Sequence, residues 1–220
     1  MEKGNQALIA GSAAALAGLL FFGWLADGVL SGETASLDAA VRGTVHSWAS
    51  PHLTFVMRGL TWLGSGAVLV PLGILVFWWL SAVGRRHSAI LLILAGLGAE
   101  AANRALKLLF HRGRPDAFFG YPQPDNYSFP SGHAMVSFCF YGALAAILAT
   151  GTESRRRRVG IWTGAAMLAA AIGLSRIYLG VHYPSDVMAS YAGGAVWVGG
   201  VSTGYAVWLH RRRNTLQTNK

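Results

Sequence analysis

The sequence predicts an all-α integral membrane protein, a six-transmembrane-helix bundle with both termini cytoplasmic and its working face extracytoplasmic. Three observations predict it. Of 220 residues 53% are hydrophobic and only 12% charged, with a mean hydropathy of +0.41, whereas a soluble domain carries about 25% charged residues. Uncharged runs recur near the length of about 20 residues that a helix needs to cross hydrocarbon. Basic residues gather in short clusters beside those runs, and eight Trp and 28 Gly suit interfacial anchoring and close helix contact.

The runs, in order, are 4–26, 59–84, 88–110, 134–152, 159–175 and 187–209. The first is too long for a signal peptide and lacks a basic leader. The third is unusual in carrying Glu100, Arg104 and Lys107 near its end. The fifth is short and spans if its ends snorkel. In the last, Gly200 and Gly204 are spaced for close helix approach. Arg85 and Arg86, the arginines of 155–158 and 211–213, and Lys3 all fall on one side, which the positive-inside rule makes cytoplasmic. The opposite loops are 27–58, 110–133 and 176–186, the first bearing Asp27, Glu33 and Asp38. One domain, 1–213, is expected, followed by a polar, disordered tail, 214–220.

The net charge of +9 does not mark a nucleic-acid binder, because that requires a basic face on a soluble fold. These cations sit where membrane proteins place topology and lipid-contact charges. The single Cys139 excludes an internal disulfide and reads as an inert buried thiol.

Three segments stand apart. In Lys107-Leu-Leu-Phe-His-Arg-Gly-Arg114-Pro115, two cations at an outer helix end suit a phosphate clamp; snorkelling to headgroups is the alternative. In Phe129-Pro130-Ser131-Gly132-His133, a helix begins, and its first amides form an anion site with His133 beside it as proton donor. In the third, Ser175 and Arg176 precede His182 and Asp186. Pro184 keeps His182 off the helix, and Asp186 can orient its ring as in a Ser-His-Asp triad, or merely cap the last span.

Together these segments resemble the type-2 phosphatidic acid phosphatase family, whose superfamily includes bacterial acid phosphatases and vanadium haloperoxidases. Its signature K-x6-R-P, P-S-G-H and S-R-x5-H-x3-D is met at every fixed position between 107 and 186. The resemblance implies phosphoryl transfer through a phosphohistidine, with a catalytic core at about 100–209. His182 would be the nucleophile, Asp186 its orienting carboxylate, and His133 the acid for the leaving group and then the base for water. Lys107, Arg114, Arg176, Ser131 and Gly132 would bind the phosphate. The two histidines must differ in protonation, which implies a bell-shaped pH profile. No carboxylate cluster suits a hard cation, so neither metal nor cofactor is expected.

The implied substrate is a phospholipid or isoprenoid (di)phosphate, undecaprenyl diphosphate or phosphatidylglycerophosphate foremost, in a bacterial inner membrane. A lipid-to-lipid phosphotransferase is the rival reading. A haloperoxidase is disfavoured by the spans, and a scaffold by the intact signature. The aromatic loop 118–127 suits either a lipid entrance or an interfacial belt. Glu100, Asn103 and Arg104 lie at helical spacing, with Glu100 facing Arg104 and Asn103 facing Lys107. They are expected to form a local ion pair or a support that sets the angle of Lys107.

Overall fold

The computed structural model describes residues 2–218, with the side chains of 11–13, 15–205 and 207. The described residues form eight helices and no strand: α1 (Glu2–Ser31), α2 (Ala35–Ser47), α3 (Pro51–Leu63), α4 (Gly66–Ala82), α5 (Arg86–Phe110), α6 (Gly132–Ala149), α7 (Arg155–Tyr178) and α8 (Pro184–Thr218). Four of them, α1, α5, α6 and α7, are long and apolar enough to cross a membrane. The bent pair α3 and α4 makes five if it counts as one span.

The expected second span, 59–84, is broken rather than continuous. The chain bends by 45° between α3 and α4, where Ser65 is extended and its Oγ donates to Trp62 O at 2.6 Å. Gly64 sits hard against α7, so that a Cβ there would lie 2.6 Å from Ile172 Cγ2. The stretch 27–58, expected as a loop, holds α2 and the start of α3. Val41 and Val45 of α2 pack on Met57, Ile177 and Leu179, and that apolar spacing gives α2 a face to bury. Gly32, at φ 81°, lets the chain leave α1 for α2. The tail expected to be disordered is helical as far as Thr218; no Gly or Pro follows Gly204 to stop the helix. Positions 219–220 lie outside the described residues.

The bundle core has an inner part, where Leu80, Leu92, Phe140 and Ile172 join α4 to α7, and an outer part around Tyr178, Leu179 and Val181. Gly200 and Gly204 meet open space among the described residues. The close seam with α1 runs instead through Gly199, where a Cβ would lie 2.9 Å from Ala15 Cβ. One residue along a helix turns the face by about 100°, so Gly199 and Gly200 cannot serve the same neighbour. Trp78, Leu75, Leu94 and Leu109 point outward, as lipid-facing side chains do. Cys139 is buried. α5 ends at His111, whose φ of 48° turns the chain into the irregular stretch that leads to α6.

Candidate active site

The end of α5, the start of α6, the end of α7 and the turn into α8 converge on a cavity of about 1310 Å³. One end is lined by Lys107, Arg114, His133, Arg176 and His182; the other is apolar, with Leu69, Ile74, Leu92, Leu97 and Phe140. All three segments singled out in the sequence therefore meet in space.

His182 lies in the tight turn between α7 and α8. The turn needs Gly180, at φ 75°, because a Cβ there would lie 2.6 Å from Phe118 N. Pro184 then opens α8 and Asp186 falls in its first turn. Asp186 Oδ2 accepts from His182 Nδ1 at 3.2 Å, from Tyr183 N at 2.9 Å and from Ser128 Oγ. A carboxylate only accepts, so Nδ1 carries the proton and Nε2 presents its lone pair, 3.3 Å from Arg114 Nη1. Burial pushes the His182 imidazole down to about 3, against the upward pull of Asp186. Its ring is therefore neutral at physiological pH. Burial also lowers the Arg114 guanidinium, and Asp186 partly restores it.

The cations are held by backbone carbonyls. Lys107 Nζ donates to Tyr127 O and, at 3.5 Å, to Ser128 O. Arg114 Nε donates to Asn126 O at 2.7 Å and Nη1 to Val181 O at 2.9 Å. Arg176 reaches from α7 to Thr61 Oγ1 of α3 at 2.6 Å. Among the described residues the Oγ of Ser131 and the Nε of Arg176 are buried without a hydrogen-bond partner. An unpaired buried polar group costs about 1–3 kcal/mol, so both suit an incoming acceptor. Gly132 opens α6, with its missing Cβ only 3.0 Å from Asn103 Oδ1.

The group on α5 is arranged differently from expectation. Asn103 is buried and donates to Pro130 O at 3.1 Å, so it supports the start of α6; it lines the same cavity as Lys107, and among the described residues no hydrogen bond joins the two side chains. Seven residues before the α5 end, the Asn103 side chain points into the bundle and finds its acceptor in the chain just ahead of α6. Arg104 Nε and Glu100 Oε1 do pair, at 2.6 Å, but their side chains are 75% and 39% exposed. Both line the cavity, and among the described residues no hydrogen bond joins either of them to Lys107.

The loop 118–127 divides into two parts. Phe118 stacks on His46 at 4.0 Å and Phe119 on Tyr178 at 5.2 Å, pinned further by Arg58 to Phe119 O at 3.0 Å. Pro124 to Tyr127 line the cavity. Sequence reasoning missed Ser128, Arg112, Asp38 and Thr61. Arg112 and Ser128 carried a faint signal, lying inside or beside the first two segments. Asp38 and Thr61 carried none, since only folding brings α2 and α3 to the site. Among the described residues no group of three His, Cys, Asp or Glu is placed to hold a metal ion.

A neutral histidine held by a carboxylate, facing fixed cations at the mouth of an apolar cavity in a multi-pass helical protein, defines a membrane phosphatase. The chain belongs to the PAP2 superfamily, whose family model matches residues 88–212. It is 30% identical over 175 residues to phosphatidylglycerophosphatase B of Bacillus subtilis (strain 168), covering 79% of this chain and 85% of that protein. It is 31% identical over 180 residues to the decaprenylphosphoryl-5-phosphoribose phosphatase of Mycobacterium tuberculosis, covering 78% and 89%. The crystal structure of the transmembrane PAP2 type phosphatidylglycerolphosphate phosphatase from Bacillus subtilis superposes with a TM-score of 0.79. The two are 28% identical, over 86% of this chain and 94% of that one.

Proposed function

We propose that this membrane lipid phosphatase removes a terminal phosphate from a lipid head group through a phosphohistidine on His182, without a metal ion. The observation that carries the reading is the His182–Asp186 pair, with Nδ1 held at 3.2 Å and Nε2 turned towards Arg114. Nε2 attacks phosphorus while His133 gives a proton to the departing lipid oxygen. Asp186 stabilises the cationic imidazole of the phosphoenzyme. His133 then takes a proton from water, whose oxygen attacks phosphorus, and phosphate leaves with His182 restored. Lys107, Arg114 and Arg176, with Ser131 Oγ and the Gly132 amide, neutralise the three equatorial oxygens.

A cavity charged at one end and apolar at the other supports an amphiphilic substrate. Phosphatidylglycerophosphate is the first choice, since a relative that matches most of the chain is named for it; undecaprenyl diphosphate is the second. Glu100 and Arg104, inward of Lys107 on the same wall, would meet the group that joins the phosphate to the lipid. We also infer six spans, with α8 as the last and the cavity opening on the extracytoplasmic side of a bacterial inner membrane. A cysteine placed at Gln123 then reacts with an impermeant thiol reagent in intact cells and one at Thr152 does not; the reverse pattern inverts this orientation.

The test is phosphate release from these lipids by detergent-purified protein in excess EDTA. Wild type is expected to be active, with an acid-labile phosphoenzyme trapped by rapid quench. His182→Ala should fold and lose at least about 10⁴-fold in kcat, as loss of a nucleophile does. Turnover by that variant, activity that requires added Mg²⁺, or label transferred only to an acceptor lipid would each overturn a stated part of the reading.

A further inference from the structure

Asp38 is far from the three segments in sequence and adjacent to them in space. It sits on α2, only 1% exposed. Its carboxylate accepts from Ser185 N at 2.9 Å, from Ser185 Oγ at 2.6 Å and from Arg112 Nη2 at 2.8 Å. Arg112 bridges onward: its Nη1 donates to Asp186 Oδ1 at 2.6 Å and to Ser185 Oγ at 2.8 Å. The guanidinium, with the Tyr183 ring 4.1 Å from its centre, thus lies between two buried carboxylates, one of which holds His182.

The charge count decides what this arrangement does. Asp186 must stay anionic towards His182, because attack on phosphorus leaves the imidazole cationic. An arginine bound bidentately or at short range to a carboxylate takes up much of that negative charge. Arg112 and Asp186 alone sum to zero. With Asp38 the cluster sums to −1, the same as a lone Asp186, while Arg112 still fixes the position of Oδ1. A carboxylate needed only to staple α2 to α8 would be satisfied by the Ser185 hydrogen bonds and would not have to share an arginine with the histidine's partner.

We propose that Asp38 is a positioning residue for the reaction, offsetting the charge of Arg112 so that Asp186 can stabilise the cationic imidazole of His182. This rests on the reading of His182 as nucleophile. It assigns to α2, a helix outside the three signature segments, an electrostatic part in phosphoryl transfer.

The test is steady-state hydrolysis of dioctanoyl phosphatidylglycerophosphate by the full-length protein in detergent, with thermal unfolding measured alongside. Asp38→Asn is expected to lower kcat by about 50-fold while KM moves less than about threefold, since the loss falls on the transition state. Asp38→Glu, which keeps the charge, should be at least about tenfold faster than Asp38→Asn. The double variant Asp38→Asn/Arg112→Gln should recover kcat to within about tenfold of wild type, because Asp186 is no longer neutralised. A wild-type rate for Asp38→Asn, or a double variant no faster than the single, overturns the proposal. If Asp38→Asn does not fold, Arg112→Gln decides: kcat within about tenfold of wild type supports the charge argument, and a hundredfold loss refutes it. His182→Ala run in parallel separates the two claims, for its activity would break the nucleophile reading whatever the Asp38 variants do.

Discussion

The two flanks of the cavity are built in opposite ways. On the histidine flank both oxygens of Asp186 and both of Asp38 are taken by donors from the 112–128 stretch, the turn between α7 and α8 and the α8 start. On the proposed phosphate flank Ser131 Oγ and Arg176 Nε are buried with no partner among the described residues, and Lys107 and Arg114 lean on main-chain carbonyls. The first flank is complete in itself and holds one ring at one angle. The second carries unmet donors and gains most when an anion arrives. Orientation here is a property of the folded chain, whereas phosphate recognition is a property of the chain and substrate together.

That contrast is broken or sharpened most strongly at the phosphate flank. Arg176→Lys keeps the charge but loses the fork that reaches Thr61 and the phosphate at once; kcat/KM is expected to fall by about 10²–10³-fold, read by phosphate release. Ser131→Ala should lower kcat/KM by about tenfold while leaving the melting temperature unchanged or higher, because it deletes an unsatisfied buried hydroxyl. Ser128→Ala, on the other flank, should lower stability by about 1.5–3 kcal/mol, the range for a hydrogen bond to a charged group. Equal stability losses for Ser131→Ala and Ser128→Ala would erase the distinction between the flanks.

A smaller effect follows from pH. His182 is held near 3 in the folded protein by burial, below an ordinary value of about 6.5. Between those values the unfolded chain takes up a proton that the folded one refuses, so stability present above about pH 6.5 is lost as pH falls towards 3. His182→Gln removes this term, so its melting temperature should fall less than that of wild type between pH 7 and pH 4. Parallel curves would show that the ring gains its proton in the folded state. The smallest effect is expected at Glu100, whose side chain is 39% exposed. Glu100→Gln should leave stability within about 0.5 kcal/mol and alter KM by about threefold, differently for phosphatidylglycerophosphate and undecaprenyl diphosphate. A fall in kcat with KM unchanged would instead restore a supporting role for this pair beneath Lys107.

How much of this was legible in the sequence differs by element. Lys107, Arg114, His133, Arg176 and His182 were readable as a group, because fixed cations and histidines on one side of apolar runs have no topological reason to be there. All five line one cavity. Pro184 placed the His182 turn, since backbone restriction is local; the need for Gly180 showed only in the fold, where Phe118 packs against it. The break at Gly64 and Ser65 was hidden, because an apolar run reads the same whether it is straight or bent, and the bend follows from the approach of Ile172. Asn103 was assigned to Lys107 from helical spacing alone, which says which side chains share a face but not what that face meets.

By itself, then, the sequence determined the helical membrane class, the candidate residues for handling phosphate and the order in which they occur. Each of these depends on composition, on local backbone preference or on spacing within one segment. Only the tertiary structure decided that Asp38 and Arg112 stand behind Asp186, that Thr61 holds Arg176, and that Ser131 Oγ has no partner among the described residues. These contacts join residues 74 to 115 positions apart, and nothing local in a chain encodes which distant side chain will satisfy a buried charge. That is settled when the helices pack and each buried polar group must find a partner or go without.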